Sequence, residues 1–420
     1  MSRRDATSGA RSARVARTVR SASIAVAVPK ALKDERLVLR FGAVAYRARV
    51  FVNGREVGSH EGGHLPFECE VTDVVEWNKP NLVCVRCENR LSATTVPMGE
   101  LRNAGENGQF AGQYPDVPFD FFPYAGIQRD VCLYTTPKKA FLISVRVTTA
   151  VSADGVATVR VTGPAGGNGL YVAVGCVSRR THKEYGGGHS LVSFSGNFTV
   201  DIRIPNAELW DVFQPNLYDA EIQLLSGEDV VDTYKQRFGI RTIRVTGNRL
   251  LLNDKPVYLQ GFGRHEDFPI IGRGLCHAAN VRDHELLKWV NANSYRTTHY
   301  PYSEELVRLA DEQGILLIAE APAVSVNFDH LQDEGVRKQL YDRHATMLKE
   351  LIDRDFNAPS VIAWSVANEA TTNRPAARDY FAALAALRSS LVFLPAAALS
   401  RMPPLASGGL LRMNVASLCI

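Results

Sequence analysis

Between residues 256 and 387 the chain repeats one unit four times: a short strand-like run, then a segment with helical period. The runs are VYLQGFG, SYRTT, ILLIAEA and SVIAWSVA. Strands of continuous apolar character are covered on both faces, and strand-then-helix units in succession build a parallel sheet. The helices carry their own marks. Leu286, Leu287 and Val290 share a face of VRDHELLKWVNAN. Ser303 can cap a helix whose first turn holds Glu304 and Glu305, and Gly314 stands where its C-terminal cap belongs. Leu340, His344, Met347, Leu348, Leu351 and Ile352 recur at helical spacing until Asn357-Ala358-Pro359 stops them. PAARDYFAALAAL supplies a fourth helix. Closing a (β/α)8 barrel takes four more units. The segment from Ser389 onward has no steady period and contains neither Glu nor Lys, so a truncated barrel is expected.

Upstream of this region the pattern is of period two. RLVLRF and YRARVFV lead to Asn53-Gly54, a strong hairpin signal, and SVRVTTAV, ATVRVTG and YDAEIQLL continue the style after residue 138. Antiparallel strands in two successive β-sandwiches follow from this. Gly186-Gly187-Gly188 lacks the Lys and Ser/Thr of a phosphate loop and reads as a turn. The 420 residues correspond to roughly three domains. The expected division is a disordered leader over 1–30, sandwiches over 31–137 and 138–245, a partial barrel over 246–388 and an irregular tail over 389–420.

Charge and cysteine usage exclude several classes. Net charge is +4, but residues 1–20 carry +5 and residues 370–420 carry +4, which leaves −5 on the body of the chain. Such a body is not built to follow a phosphate backbone, so nucleic acid is not an expected partner. No run approaches the ~20 apolar residues of a membrane span. The seven cysteines are too sparse for a disulfide scaffold. Cys84 and Cys87 have CxxC spacing, yet positions three apart on a strand point to opposite faces, which disfavours a shared metal. The first twenty residues, rich in Arg, Ser and Ala, have the composition of an organellar transit segment or a plain leader, and no secretory signal is visible. A cytoplasmic location is the default expectation.

In parallel barrels the chemistry gathers at the C-terminal ends of the strands. Those ends carry Arg264-His265-Glu266-Asp267, then His299-Tyr300, then Glu320, then Asn368-Glu369. No metal site is expected, because His284-Glu285 continues to Lys288 and HExxH fails. Gly261-Phe262-Gly263 is followed by Glu266 where a third Gly should be, so no dinucleotide fingerprint is present and no cofactor is expected. Carboxylate chemistry without a metal remains, and its commonest form is hydrolysis of a glycosidic bond.

GFGRHEDF, NANSYRTTHYPYSEE and SVIAWSVANEA resemble the barrel signatures of glycoside hydrolase family 2, and in particular of its members that cleave β-D-glucuronides. FDFFPYAGIQRDVCLYTTP resembles the end of that family's jelly-roll sugar-binding domain, and LWDVFQPNLYDAEI with FGIRTI the end of its immunoglobulin-like domain. The resemblance runs from about Leu37 to about Leu387. It implies a multidomain β plus α/β architecture: jelly roll, immunoglobulin-like sandwich, and a truncated (β/α)8 TIM barrel. It implies a retaining double displacement in which Glu369 is the acid/base, Asn368 bonds the sugar 2-hydroxyl, and His265, His299 and Asp120 line the sugar pocket. The family's nucleophile is a Glu well beyond the acid/base. Here Asp379 is the one acid after Glu369, so turnover by these 420 residues alone is not expected. Uncovered strand edges in a half barrel invite another chain, so a homo-oligomer is a further expectation. Two alternatives stand beside this reading: a non-catalytic carbohydrate-binding protein, and a β-galactosidase-type hydrolase.

Overall fold

The computed structural model describes residues 19–101, 115, 116, 119, 121–328, 331–370, 373–391, 418 and 419. The first sandwich packs a four-stranded antiparallel sheet (Val19–Ala27, Pro80–Glu88, Arg47–Val52, Arg55–Glu61, in spatial order) on a three-stranded one (Val131–Pro137, Glu35–Phe41, Phe67–Glu70). Its alternating inward residues, among them Leu37, Leu39, Phe41, Val50, Val52, Val83 and Val85, make one apolar core. Asn53 and Gly54 turn the hairpin with φ of 52° and 83°, the positive angles this tight connection demands. Cys84 is half-buried and Cys87 buried, on opposite faces of the strand they share.

Two expectations need correction here. The leader assigned to 1–30 is a strand from residue 19: Val19–Ala27 pairs with Pro80–Glu88 from Val19↔Glu88 to Ala27↔Pro80. An edge strand is held by its backbone ladder while most of its side chains face outward, so it needs no apolar alternation. Residues 1–18 lie outside the described residues. The second correction concerns Gly186, Gly187 and Gly188, which lie inside the strand Glu184–Leu191, beside a bulge near Gly175. A Cβ on Gly187 would stand 2.5 Å from the Val174 carbonyl oxygen, and one on Gly188 2.7 Å from Val200. The glycines permit close approach within the second sandwich rather than a turn.

That second sandwich sets the strand Ala157–Gly166 and its partners against Glu184–Leu191, Leu170–Ser178, Leu217–Ser226 and Asp229–Gly239. It grips the third region directly. Arg241 donates to the carbonyls of Pro359 (2.5 Å) and Val361 (2.7 Å), and Asn357 accepts from Val147 N–H and donates to Val145 O, each at 2.8 Å.

The third region is a parallel sheet of β1 (Gly261–Arg264), β2 (Ser294–Thr297), β3 (Leu316–Glu320) and β4 (Val361–Ser365), with helices α1 (His277–Trp289), α2 (Glu304–Gln313), α3 (Glu334–Asp355) and α4 (Pro375–Leu391). Four strand–helix units of a TIM barrel are thus in place. Every residue of β3 and β4 is buried, as strands covered on both faces require. Ser303 Oγ accepts from Leu306 N–H at the start of α2, and Gly314 closes that helix with φ 68°. The α3 stripe buries Leu340, His344, Met347, Leu348, Leu351 and Ile352, the residues its period predicts. For α1 the expected face is wrong. Asn280, His284 and Leu287 are buried, whereas Leu286 is 44% and Val290 45% exposed. The reason lies in β1, whose three leading residues are exposed: the α1 flank away from β2 meets no partner among the described residues. Leu418–Cys419 pairs antiparallel with β4, and residues 392–417 and 420 of the expected irregular tail lie outside the described residues. No described helix is long and apolar enough to cross a membrane.

Candidate active site

The C-terminal ends of β1 to β4 converge, and each brings the polar group that its sequence run ends on. After β1 come His265, half-buried, and Glu266, 2% exposed. A carboxylate that deep requires partners. Glu266 accepts from Ser303 N–H (3.2 and 3.3 Å), at the positive end of α2, and from the guanidinium of Arg129 in the first sandwich (3.2 Å). Arg129 also donates to the carbonyls of His64 (2.7 Å) and Pro301 (2.9 Å), so one buried side chain ties three segments together. Burial pulls the Arg129 pKa down, and the adjacent Glu266 offsets part of that pull.

Tyr300 fills the space between these groups. Its hydroxyl accepts from Glu266 N–H (3.1 Å) and lies 3.4 Å from His265 Nδ1, while its ring stacks on His64 at 4.8 Å and carries the Arg273 guanidinium 4.0 Å above its centroid. The His265 and His299 rings meet edge to face, with centroids 5.6 Å apart.

After β2 and β3 the geometry becomes a chain of charges. His299 Nδ1 is 2.6 Å from Glu320 Oε1, a short hydrogen bond between the ring and the carboxyl group. Glu320 is fully buried; Arg296 Nη1 lies 3.4 Å from its other oxygen, and the Glu320 N–H donates to Thr297 Oγ (2.9 Å). The second arm of Arg296 donates to Asn368 Oδ1 at 3.3 Å. With its oxygen so engaged, Asn368 is left with its Nδ2 donors to offer a ligand.

After β4, Asn368 is clamped through its backbone: its N–H donates to Ala323 O (2.9 Å) and its carbonyl accepts from Ser325 N–H (2.8 Å). Glu369 follows, exposed, with φ 49° in the left-handed region. A non-glycine residue held there costs on the order of 1–3 kcal/mol and marks a conformation that the surroundings impose.

The structure therefore brings His265 and His299 into contact and joins His299 to Asn368 through Glu320 and Arg296, with Glu369 next in the chain. Asp120 lies outside the described residues. Its neighbours Phe119 and Phe121 stack at 4.4 Å, and the Phe121 ring centroid is 4.9 Å from that of Tyr300 and 6.3 Å from that of His265, so the first sandwich reaches the mouth of the sheet. Arg296 escaped the sequence reading, and Glu320 was noticed as a strand end without a place in the site. The signal was present for both: a Glu closing the otherwise apolar LLIA is a buried charge that needs a partner, and the Arg inside SYRTT on the neighbouring strand is one. Among the described residues, no three His, Cys, Asp or Glu are grouped so as to hold a metal ion.

One family of glycosyl hydrolases matches the chain along most of its length. Residues 11–137 match the sugar-binding domain of glycosyl hydrolases family 2, residues 140–241 the family 2 domain that follows it, and residues 243–391 the family 2 TIM barrel domain. The chain belongs to this family. Among curated relatives it is 39% identical to a β-glucuronidase of Paenibacillus borealis, over 85% of this chain and 60% of that one, and 36% identical to that of Mus musculus, over 84% and 54%. Among solved structures it superposes on Bifidobacterium dentium β-glucuronidase complexed with coumarin-3-O-glucuronide with a TM-score of 0.81 and 33% identity, covering 88% of this chain and 63% of that one. Ruminococcus gnavus β-glucuronidase in complex with D-glucaro 1,5-lactone gives 0.81 and 35%, covering 89% and 61%. The chain spans about 60% of the length of the first curated relatives it matches.

Proposed function

We propose that the strand-end cluster serves retaining hydrolysis of β-D-glucuronides, with Glu369 as the acid/base. In this reading the Glu369 carboxyl protonates the glycosidic oxygen as the bond to the sugar breaks, then accepts a proton from the attacking water. Asn368 presents Nδ2 to the sugar 2-hydroxyl. His265 and His299 line the sugar pocket, and Asp120 is assigned to the same pocket. One observation carries the proposal: an exposed carboxylate in a strained backbone directly follows an Asn held through both its backbone and its amide. The glucuronide and the glucarolactone named with the two solved neighbours support the sugar class.

Double displacement needs a nucleophilic carboxylate about 5–5.5 Å from the acid. Within these 420 residues Glu320 is buried and engaged by His299 and Arg296, and Asp379 lies exposed on α4. In this reading the chain contributes the acid/base and part of the sugar pocket, and neither Glu320 nor Asp379 is placed to serve as the nucleophile. That observation favours a second reading for the chain by itself, saturable sugar binding without turnover. The test is hydrolysis of p-nitrophenyl β-D-glucuronide by the chain and by Glu369→Gln, beside calorimetric binding of D-glucuronic acid. Turnover abolished by the substitution supports the first reading, and binding without turnover supports the second. Equal turnover by both proteins removes Glu369 from the chemistry, and absence of both turnover and binding overturns the assignment of this site to a glucuronide.

A further inference from the structure

Helix α3 places His344 in the middle of its apolar stripe, fully buried. A histidine in such a stripe is accommodated only when its ring nitrogens find partners. Nε2 is 2.7 Å from the carbonyl oxygen of Val366, and Nδ1 is 3.0 Å from the hydroxyl of Tyr380 on α4. A carbonyl oxygen can only accept, so Nε2 carries a proton; in a neutral ring Nδ1 is then the acceptor, with Tyr380 donating to it. The neutral ring is thereby fixed in one tautomer. Burial agrees, since it pushes the His344 pKa down to about 4. Tyr380 is itself locked by edge-on packing against Phe328 (5.3 Å), Tyr341 (5.5 Å) and Phe381 (5.2 Å).

Val366 is the first residue after β4, two before Asn368 and three before Glu369. The downstream clamp, Asn368 to Ala323 and Ser325, belongs to the loop after β3. The upstream clamp is His344. Both clamps act just before Glu369, whose left-handed conformation persists only where the surroundings hold the chain that leads into it.

We propose that His344 is a positioning residue for the Asn368–Glu369 turn: a neutral imidazole that pins the Val366 carbonyl to α3, with its tautomer set by Tyr380. The proposal rests on the reading of Asn368 and Glu369 given above, but its test does not depend on turnover. Hydrogen exchange of individual amides is compared in the full chain and in His344→Gln, His344→Leu and Tyr380→Phe. Gln keeps a donor at the Nε2 position, whereas Leu keeps only volume. In His344→Leu the amides of Asn368 and Ser325 are expected to exchange about tenfold faster or more, the loss of one buried hydrogen bond, while those of Leu317 and Ile318 in β3 stay unchanged. His344→Gln is expected within about threefold of the parent, and Tyr380→Phe between the two. Unchanged exchange at Asn368 and Ser325 in His344→Leu, or a uniform rise that includes β3, overturns the proposal, because a purely structural role loosens the whole sheet. Should His344→Leu fail to fold, Tyr380→Phe decides by the same local pattern. Where the parent turns over p-nitrophenyl β-D-glucuronide, kcat is expected to fall in His344→Leu with KM nearly unchanged. A parent that binds D-glucuronic acid without turnover leaves the exchange result to decide on His344.

Discussion

β1 and β4 are built from the same strand–helix unit, yet they are held in different ways. β4 is buried along its whole length, pairs with β3, and has the carbonyls of Pro359 and Val361 at its start gripped by Arg241 of the second sandwich. Among the described residues β1 pairs with β2 alone, and it exposes Phe262 by 53%; on the neighbouring α1, Trp289 is 82% exposed. The end of β1 is tied within its own region through Ser303 and Tyr300 and, in addition, to another domain through Arg129 and Glu266. The site is thus rigid on its Glu369 side through its own sheet and on its His265 side through the first sandwich. Without Arg129 the end of β1 would keep its bonds to α1 through Arg264 and to Tyr300 and Ser303 through Glu266, but would lose its charged tie to the first sandwich.

The largest effect follows from breaking that tie. Arg129→Met leaves Glu266 buried without its cation, and stripping one partner from a buried pair costs about 3–5 kcal/mol. Arg129→Met combined with Glu266→Leu removes both charges and should recover most of the loss, because an apolar pair replaces the ions without stranding either. Urea unfolding of the two variants tests this. A double variant no more stable than the single one would show that the hydrogen bonds to His64, Pro301 and Ser303, rather than the charge pairing, hold β1 in place.

The same asymmetry appears in packing. Leu351→Ala on α3 opens a cavity in the main core and should cost about 2–5 kcal/mol, whereas Leu286→Ala on the outer side of α1 should stay within about 0.5 kcal/mol. Comparable losses at the two positions would mean that the α1 flank is covered in solution.

The Glu369 side was also the more legible in the sequence. The α3 stripe, the Ser303 cap and the unbroken apolar runs of β3 and β4 are local patterns, and they were readable because burial on that side follows periodicity. The α1 face was misread for the opposite reason: Leu286 and Val290 repeat at helical spacing but meet no sheet. Val19–Ala27 escaped because an edge strand is held by backbone bonds, and the Gly186–Gly188 strand because close approach and turning use the same residue. Of the site, the strand-end residues were visible. Arg296 was not, because a charge in mid-strand is explained only by its partner on the neighbouring strand, Glu320.

A buried histidine on each side lets pH probe the comparison. Burial pushes His284 on α1 and His344 on α3 down to about 4. Between pH 6.5 and 4 the unfolded chain takes up protons that the native rings refuse. The stability these residues contribute is therefore complete above pH 6.5 and lost as pH falls towards 4, by roughly 3 kcal/mol each at 1.36 kcal/mol per pKa unit. Asp311, pushed up to about 7 by burial, acts in the reverse sense: the native state keeps a proton that the unfolded chain releases above about 4, so its contribution declines as pH rises to 7. Urea midpoints at pH 4.5 and 6.5 should lie closer together in His344→Gln than in the parent. An unchanged gap would mean that His344 titrates alike in both states.

The smallest expected effect discriminates most finely, because it concerns an orientation rather than an anchor. Arg296 uses one arm for Glu320 and the other for Asn368, a fork that lysine cannot reproduce. Arg296→Lys keeps a cation beside the buried Glu320, so stability should fall by only about 1 kcal/mol. The Asn368 amide, no longer held by its oxygen, is then free to turn that oxygen towards the sugar 2-hydroxyl, and calorimetric affinity for D-glucuronic acid should drop about tenfold, the worth of one well-oriented hydrogen bond. Affinity preserved in Arg296→Lys would show that the backbone clamps alone orient Asn368, and the Glu320–Arg296 pair would then be a structural feature of β2 and β3 with no part in presenting the sugar donor.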